Sequence, residues 1–417
     1  MNKKVRAGFG LAGIPAATLP GDLEGQIPAP VSAPPGSDGA WMELALRTAM
    51  SGVGLAPPNP VVGCVLVGQD GQLLAAAHTE VYGQRHAETA ALAALKDPAA
   101  ARGCTAYVTL EPCCHQGRQP PCTDALIGAG IARCVVATRD PFAAVDGEGL
   151  RRLEEAGIRV DVGVLGEECL AFHLPFILHQ GLDRPVFAGK WAQTLDGHLA
   201  GDDGRSQWIS GPASRALTHF LRQKYDAIMV GAPTVLADQP RLDVRSCAPP
   251  INRHPVKVLF DPSGRLAAAP APVQNALREG VFSSGEVILI SPASPAAVGD
   301  GDARVLQLRA SKPAAAAAQL GSKEVARFLG RPLQSVLVEG GPGLLSALLR
   351  ADLLDCCHVF VSSAILGGNN HRIGSGQTPG EAVLQHMQRL SLVAANRSGD
   401  DVLMEMLPAD RLNRLFG

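Results

Sequence analysis

The apolar positions of the first 183 residues recur with the periods of alternating strands and helices. Short apolar runs that stop at turn residues predict strands over residues 61–67, 73–78, 106–110, 134–138 and 158–162. Apolar residues spaced three or four positions apart predict helices over residues 40–51, 86–96, 122–130 and 149–156. Strand, helix and strand in that order, over 106–138, predict a right-handed crossover between parallel strands. The stretch 163–184 shows neither period and is expected to be a mixed connector.

A second α/β domain is predicted from the pattern after residue 184. Its strands are expected over residues 186–191, 227–231, 256–261, 287–290, 305–308 and 336–339, with helices over 212–224 and 344–350. Alanine- and proline-rich runs near 266–275 and 292–321 indicate surface loops or a loosely defined helix. Two segments, 391–395 and 402–406, flank a Ser-Gly-Asp turn and indicate an antiparallel hairpin.

Length and composition agree with two folded domains. A chain of 417 residues is too long for one ordinary core, and 46% hydrophobic with 18% charged residues is typical of a globular protein. We expect a Pro/Gly/Ala-rich, poorly ordered extension over 1–38, a first domain over 39–183 and a second over 184–417. The basic start of the chain resembles a secretory signal only weakly, because Pro15 and Pro20 interrupt its apolar segment.

The net charge and the cysteine content limit the classes of partner and the cellular compartment that we expect. A net charge of −2 offers no basic excess to hold a polyanion, so nucleic acid is not expected as the main partner. No run approaches the ~20 apolar residues that cross a bilayer, so no membrane partner is expected. Ten cysteines without an export signal indicate a reducing, cytoplasmic setting in which thiols stay free or bind metal.

Residues 86–122 carry the strongest chemical signal. His86, Cys113 and Cys122 can hold Zn²⁺ at three corners of a tetrahedron and leave the fourth corner open to water, as a catalytic zinc site requires. Glu88 follows the histidine by two residues, where a carboxylate can move protons between that water and a substrate. A His-x-Glu followed by Pro-Cys and a later Cys is the pattern of zinc-dependent nucleobase deaminases.

A structural zinc site or a group of buried thiols is the alternative. A closed site needs a fourth protein ligand, for which Cys114 or His115 would be the candidate. Cys114 adjoins Cys113 in sequence, and adjacent residues seldom chelate one ion well, so His115 is the stronger of the two. The remaining cysteines of this half lie in apolar settings and are expected to fill the core, namely Cys64, Cys104, Cys134 and Cys169.

The spacing of the cysteines resembles one family. Eight residues separate Cys113 from Cys122, whereas nucleoside deaminases usually have Pro-Cys-x-x-Cys. This interval, the preceding Thr109-Leu110-Glu111-Pro112 and the earlier Asn59-Pro60-Val61-Val62-Gly63 resemble the bifunctional deaminase–reductases of riboflavin biosynthesis, over roughly residues 40–410. The resemblance implies a cytidine-deaminase-like α/β/α domain followed by a dihydrofolate-reductase-like α/β domain. It also implies deamination of 2,5-diamino-6-(5-phosphoribosylamino)pyrimidin-4(3H)-one and then NADPH-dependent reduction of the ribosyl group to a ribityl group.

The resemblance assigns residues in both domains. In the first, His86, Cys113 and Cys122 would bind zinc and Glu88 would shuttle protons. In the second, the dinucleotide would contact Ala192, Trp208, Thr234, Asp238, Gly341, Pro342, Gly343, Leu344, Leu345, Ser346 and Ala347. The substrate would contact Ser206, Arg222, Leu242, Arg245 and Glu339. Guanidinium groups match phosphate oxygens, which suits both arginines.

The residues themselves support the second site less strongly. Ligands bind beyond the carboxyl ends of parallel strands, where these polar clusters fall, and the glycine turn 340–343 would let backbone amides approach a phosphate. Taken alone, this turn also fits a plain connector. The sequence departs from the family at Cys114, Gln119, Phe142-Ala143, Thr194, His198 and Val361-Ser362-Ser363, and His78 lies one residue further from His86 than is usual.

Three other functions stay open at this stage. The chain could deaminate a different base with a second domain that serves only as a scaffold, or it could be a non-enzymatic, zinc-stabilised binding module. Nucleic-acid deamination is disfavoured by the charge balance. A homo-oligomer is compatible with the sequence, which does not specify one.

Overall fold

The computed structural model describes residues 36–140, 145–245, 252–298, 302–367, 373 and 389–409. They form two compact units, the first with residues 36–140, 145–181 and 252–253 and the second with the others. Most of the expected extension (1–35) and the Phe142-Ala143 departure lie outside the described residues. Within the described part, no helix has both the length and the apolar character needed to cross a bilayer.

The first unit is built around a sheet with helices on its faces. Its elements in chain order are α1 (Asp38–Ser51), β1 (Gly63–Val67), β2 (Leu73–His78), α2 (Ala87–Ala93), a 3₁₀ turn (Pro98–Ala101), β3 (Thr105–Val108), α3 (Cys122–Ala129), β4 (Arg133–Val136), α4 (Glu148–Glu155), β5 (Arg159–Val162) and α5 (Gly166–His179). The strand order is β2-β1-β3-β4-β5, in which β3, β4 and β5 are parallel and β1 is antiparallel to both of its neighbours. The predicted strands and the parallel β3–α3–β4 arrangement are confirmed.

Alternating strand residues form the core of this unit. Cys64, Cys104 and Cys134 lie in one buried cluster with apolar residues of α2, α3 and α4, and Cys169 is buried on α5. These four cysteines are therefore core residues, as the sequence predicts. At the entrance to α1, the backbone N–H of Ala40 donates to Oγ of Ser37 at 3.3 Å, which caps the helix.

Close packing of α1 on β1 requires a glycine at residue 63. A Cβ at Gly63 would lie 1.9 Å from the carbonyl oxygen of Ala45. We expect Gly63→Ala to destabilise the first unit by about 1–3 kcal/mol, because α1 must move away from the sheet. The denaturant midpoint for loss of the first unit's activity measures this. Gly128→Ala is the matched control, because a Cβ at Gly128 in α3 meets nothing within 4 Å and alanine favours a helix. Equal midpoints for Gly63→Ala and the unaltered protein would contradict the prediction.

The second unit contains a larger sheet. Its elements in chain order are β6 (Val186–Gln193), α6 (Pro212–Lys224), β7 (Ala227–Gly231), α7 (Ala232–Asp238), β8 (Val256–Phe260), α8 (Ala271–Glu279), β9 (Glu286–Ile290), β10 (Arg304–Leu308), α9 (Pro313–Leu320), α10 (Lys323–Leu329), β11 (Ser335–Val338), α11 (Pro342–Arg350), β12 (Cys356–Val361), β13 (Leu390–Ser398) and β14 (Asp401–Pro408). The strand order is β10-β9-β8-β7-β11-β6-β12-β14-β13. Pairing is parallel from β10 to β12, and β14 and β13 form the predicted antiparallel hairpin.

Both faces of this sheet are buried. Ala227 and Met229 of β7 belong to one hydrophobic cluster, while Ile228 and Val230 belong to another. This explains why the strands appear in the sequence as continuous apolar runs. Neighbouring strands β7, β11 and β6 place their carboxyl ends side by side, so the residues that follow them share one edge of the sheet.

Several elements differ from the sequence expectation. The expected connector 163–184 contains helix α5, which is buried on most of its surface and therefore lacks a polar face to mark it. Helices α7 and α10, of seven residues each, are too short to show a period. Of the two alternatives for the runs near 266–275 and 292–321, surface loops or a loosely defined helix, the structure shows helix in part of each: α8 begins in the first run and α9 lies in the second. Strand β12 escapes prediction because His358 interrupts its apolar run.

Candidate functional site

Three candidate ligands meet in the first unit. His86 is the N-cap of α2, Cys113 lies in the loop after β3, and Cys122 is the first residue of α3. Nδ1 of His86 lies 3.5 Å from Sγ of Cys113 and 3.4 Å from Sγ of Cys122. All three ligand atoms lie within 4.8 Å of one another. Two helix N-termini thus meet at this position, as the sequence predicts.

The N-terminus of α3 also contacts the Cys113 segment directly. The backbone N–H of Cys122 donates to Sγ of Cys113 at 3.4 Å, and that of Thr123 donates to the Cys113 carbonyl oxygen at 3.2 Å. Hydrogen bonds from Cys122 and from His86 lower the pKa of Cys113 to about 4, and the same sharing of a proton raises the pKa of Cys122. A lowered thiol pKa favours the thiolate form, which is the form that binds a metal.

The donor set fits zinc. One imidazole nitrogen and two sulfurs are ligands that zinc accepts in tetrahedral sites. Nε2 of His86 faces the side-chain amide of Asn59, with 3.5 Å between Nε2 and Nδ2. The amide can turn over, and its oxygen would then accept from Nε2–H and keep Nδ1 free to bind a metal.

Glu88 occupies the position expected for a proton carrier. It lies in the first turn of α2 with only 3% of its surface exposed, and its carboxyl group hydrogen-bonds with Cys122. Burial, and then the negative charge of Cys113, raise the pKa of Glu88 to about 7. Glu88 lies outside the group of converging ligand atoms.

A closed site does not form among the described residues. Neither Cys114 nor His115 belongs to the cluster of ligand atoms. The side chain of Cys114 is buried outside the cluster of ligand atoms, and His115 is exposed. The cluster therefore leaves one tetrahedral position without a protein ligand in the described part of the chain.

A charged cluster lies at the strand ends of the second unit. Nε and Nη2 of Arg222, on α6, donate to the two carboxylate oxygens of Glu339 at 2.7 and 3.0 Å, and Nη1 donates to the Asp243 carbonyl at 2.9 Å. Burial alone would raise the pKa of Glu339, but the charge and hydrogen bonds of Arg222 outweigh it and lower that pKa. Lys190 on β6 is close to this pair, and burial lowers its pKa.

His219 lies between two arginines of this cluster. Its Nδ1 accepts from the backbone N–H of Arg245 at 3.3 Å. Burial and the charges of Arg222 and Arg245 lower the pKa of His219 to about 4, so it is neutral at pH 7. Arg245 is half exposed and pairs with Asp243. The structure thus brings Arg222, Arg245 and Glu339 into one cluster, in which the guanidinium of Arg222 is paired with the Glu339 carboxylate.

The residues expected at the dinucleotide fall near the shared sheet edge. Gly341 is the N-cap of α11, and a Cβ built on it would lie 3.8 Å from Oγ1 of Thr234, which lies on α7. Ala192 lies near the carboxyl end of β6. Residues 342–347 form the first turns of α11, in which Leu345 and Ser346 are buried. The backbone N–H groups at the start of a helix can bind a phosphate.

The remaining expected residues vary in their accessibility. Trp208 is 70% exposed and stacks on the guanidinium of Arg215, while Ser206 and Asp238 are exposed. Leu242 has its side chain in the core, so any substrate contact must come from its backbone. Elsewhere in this unit, His198 is buried beside Asp196, with 3.5 Å between Nε2 and Oδ2.

Three residues of these sites have no role that the sequence predicts. In the sequence, Asn59 stands out only as the first residue of the Asn59-Pro60-Val61-Val62-Gly63 motif, although its side-chain amide adjoins His86. Lys190 lies within β6, directly after the four buried residues that begin this strand. His219 precedes Arg222 by three residues on α6, a spacing that places both on one face of a helix and could have revealed it.

Comparisons with known families match both units. A model described as the cytidine and deoxycytidylate deaminase zinc-binding region matches residues 35–138. A model described as the RibD C-terminal domain matches residues 185–404.

Curated relatives cover most of the chain. Riboflavin biosynthesis protein RibD of Aquifex aeolicus is 37% identical over 333 residues, which span 79% of this chain and 88% of the relative. The protein of the same name from Escherichia coli is 34% identical over 388 residues, which span 89% of this chain and all of the relative.

Two solved structures are similar to this chain over most of its length. RibD of Acinetobacter baumannii has a TM-score of 0.71 at 30% identity, and covers 89% of this chain and 99% of its own. A diaminohydroxyphosphoribosylaminopyrimidine deaminase/5-amino-6-(5-phosphoribosylamino)uracil reductase of Thermotoga maritima has the same TM-score and coverage at 32% identity.

Proposed function

This chain belongs to the RibD family of riboflavin biosynthesis proteins, and from that membership we propose that its two sites act on the two substrates named for the Thermotoga maritima relative. It is a bifunctional enzyme with a zinc-binding deaminase domain and a reductase domain. The first site would remove the amino group of the diaminopyrimidine ribosyl phosphate. The second would reduce the ribosyl group of the resulting uracil to a ribityl group.

The first site would hold Zn²⁺ through His86, Cys113 and Cys122. A zinc ion there supplies a Lewis acid that makes water a nucleophile near neutral pH. The observation that carries this proposal is the convergence of one imidazole and two sulfurs within 4.8 Å, with a buried carboxyl group beside them and outside their ligand set.

Glu88 would carry protons through the reaction. Its carboxylate takes a proton from the attacking water and delivers it to a ring nitrogen of the substrate. It then takes the proton of the hydroxyl group on the tetrahedral carbon and passes it to the amino group, which leaves as ammonia as the C=O bond of the product forms. The burial of Glu88 suits this role because it keeps bulk water away and raises the pKa of the carboxyl group toward neutrality.

The second site would bind NADPH and the sugar phosphate at the shared strand edge. A reductase domain implies a nicotinamide cofactor, which supplies the hydride when bound. The start of α11 at Gly341, with Thr234, Asp238, Ala192 and Trp208, would hold the dinucleotide. Ser206, Arg222, Arg245, Glu339 and the backbone at Leu242 would hold the substrate. These residues align donor and acceptor and exclude water.

Arg245→Ala is expected to raise the reductase KM by about 10–150-fold with little change in kcat, because a charge-assisted hydrogen bond to phosphate is worth about 1.5–3 kcal/mol. Steady-state reduction of the deaminated substrate measures this. Arg241→Ala, at an exposed arginine on the same loop, is the matched control. Unchanged kinetics in Arg245→Ala would remove this residue from the phosphate site.

One assay tests the proposed function as a whole. Purified, zinc-loaded protein is supplied with the diaminopyrimidine ribosyl phosphate, and ammonia and NADPH absorbance are followed separately. We expect ammonia release without NADPH, and NADPH oxidation only after deamination. Ammonia release with no NADPH oxidation would leave the second unit as a scaffold, and the absence of both would overturn the proposal.

A further inference from the structure

Helix α4 contributes no metal ligand, yet it contacts the loop of Cys113 on both sides. Glu111 lies two residues before Cys113, and its carboxylate accepts from a backbone N–H at the start of α4. Cys114 lies directly after Cys113, and its carbonyl oxygen accepts from the side chain of Arg152 on α4. We propose that α4, through Glu111 and Arg152, is a positioning element that fixes Cys113 for metal binding in the deamination reaction. This inference rests on the proposed zinc site.

Glu111 supplies the N-terminal cap that α4 lacks locally. The helix begins after Gly147, which has no side chain to cap it. The carboxylate of Glu111 instead accepts from the backbone N–H groups of Gly149 at 3.0 Å, Gly147 at 3.1 Å and Leu150 at 3.3 Å. It also accepts from Asp140 N–H at 3.4 Å, and only 4% of Glu111 is exposed. A buried carboxylate on a helix N-terminus is a strong, directional anchor.

Arg152 holds the other side of Cys113. One turn along α4, its Nη1 donates to the carbonyl oxygen of Cys114 at 2.6 Å. The same nitrogen lies 3.7 Å from a carboxylate oxygen of Asp124, in the first turn of α3, which begins with Cys122. Arg152 therefore connects the segments that carry both cysteine ligands.

The fit between α4 and this loop is tight. A Cβ at Gly149 would lie 2.3 Å from the carbonyl oxygen of Pro112 and 3.0 Å from the Glu111 carboxylate. Any side chain at residue 149 must therefore move either the helix or the residue next to Cys113. The backbone of Cys113 is thus set by three contacts with one helix, in addition to its contacts with α3.

Groups that orient a ligand change metal affinity without binding the metal. Their removal typically costs 10–100-fold in metal affinity or activity. A cap that served stability alone would lower the unfolding temperature and leave the geometry of the loaded site unchanged. Metal affinity and the spectrum of a bound metal therefore separate a positioning role from a structural one.

The test compares Arg152→Ala, Glu111→Gln and Gly149→Ala in the full chain. We measure the Zn²⁺ dissociation constant by chelator competition, the absorption spectrum of the Co²⁺-substituted protein, and ammonia release. The far-UV circular-dichroism spectrum and the thermal unfolding transition report whether the first unit is folded, and reduction of supplied deaminated substrate reports on the second unit. We expect each variant to bind Zn²⁺ 10–100-fold more weakly, to show altered sulfur-to-cobalt bands and to retain the reductase rate.

The controls lie on the same helix. Arg151→Ala removes a neighbouring exposed arginine that pairs only with surface glutamates in the described contacts, and it should bind zinc normally. Arg152→Lys keeps a donor for the Cys114 carbonyl and should recover part of the affinity. If Glu111→Gln does not fold, Arg152→Ala decides the question.

Two failures are distinguishable. A folded Arg152→Ala protein with unchanged zinc affinity and cobalt spectrum would overturn the positioning role while the proposed function stands. Failure of the unaltered protein to bind zinc would instead overturn the proposed function itself.

Discussion

We expect Glu88→Gln to lose ammonia release by about 10²–10⁴-fold, because the amide cannot accept and return a proton. The variant should retain its zinc, since Glu88 lies outside the cluster of ligand atoms. It should also reduce supplied deaminated substrate at the normal rate. Ammonia production, metal content and NADPH oxidation, each measured on the same preparation, test these expectations.

The matched control for this variant is Glu154→Gln, the same chemical change at an exposed position of α4. It should leave ammonia release unchanged. A folded Glu88→Gln protein that lost both activities would show that the two sites are not independent. One that kept ammonia release would remove Glu88 from the proton-transfer role.

Arg222→Ala is expected to abolish most reductase activity and to destabilise the second unit by about 3–5 kcal/mol. The guanidinium of Arg222 donates two hydrogen bonds to the Glu339 carboxylate, and both side chains are largely buried. Removing the arginine leaves a carboxylate without its compensating charge. Denaturant unfolding and steady-state reduction measure the two effects.

A second variant separates stability from binding in this pair. Arg222→Ala combined with Glu339→Gln removes the stranded charge, so it should recover part of the stability and none of the reductase activity. Arg397→Ala is the matched control, because it breaks an exposed ion pair with Asp400 and should cost no more than about 1 kcal/mol. If Arg222→Ala and Arg397→Ala lowered the free energy of unfolding by the same amount, burial of the Arg222–Glu339 pair would not account for its contribution to stability.

Local sequence signals predicted the first site well. His86, Cys113 and Cys122 were identified from residue type and spacing, and the structure brings them together. Their elements were also predictable, because an N-cap, a short strand and a helix after two prolines each have a local signature.

Other features lacked such a signature. Helix α5 has buried residues around most of its circumference and contains Pro175, so its sequence shows no amphipathic period. Strand β12 contains His358, whose cost of burial is offset by hydrogen bonds to Tyr225 and Glu405. Those partners lie on other elements, so the segment read by itself does not indicate a strand.

At the reductase site, the resemblance to the family identified more residues than the hydrophobic and polar pattern of the sequence did. Thr234 and Gly341 lie in the helix starts that follow β7 and β11, and these positions could be placed from parallel-sheet topology. That Leu242 turns its side chain into the core, and that His219 accepts from Arg245, required the packed structure.

The sequence by itself determined the chemistry available to this enzyme: the zinc donors, the nearby carboxylate and the two α/β domains in their order. Side-chain identity and short spacing along the chain are sufficient for that, because each ligand lies at the end of a locally encoded element. Tertiary structure alone decided which distant groups meet. Glu111 caps a helix 36 to 39 residues away, and Arg222 pairs with Glu339 across 117 residues. Such contacts depend on the complementary packing of separate surfaces, and no local pattern encodes them.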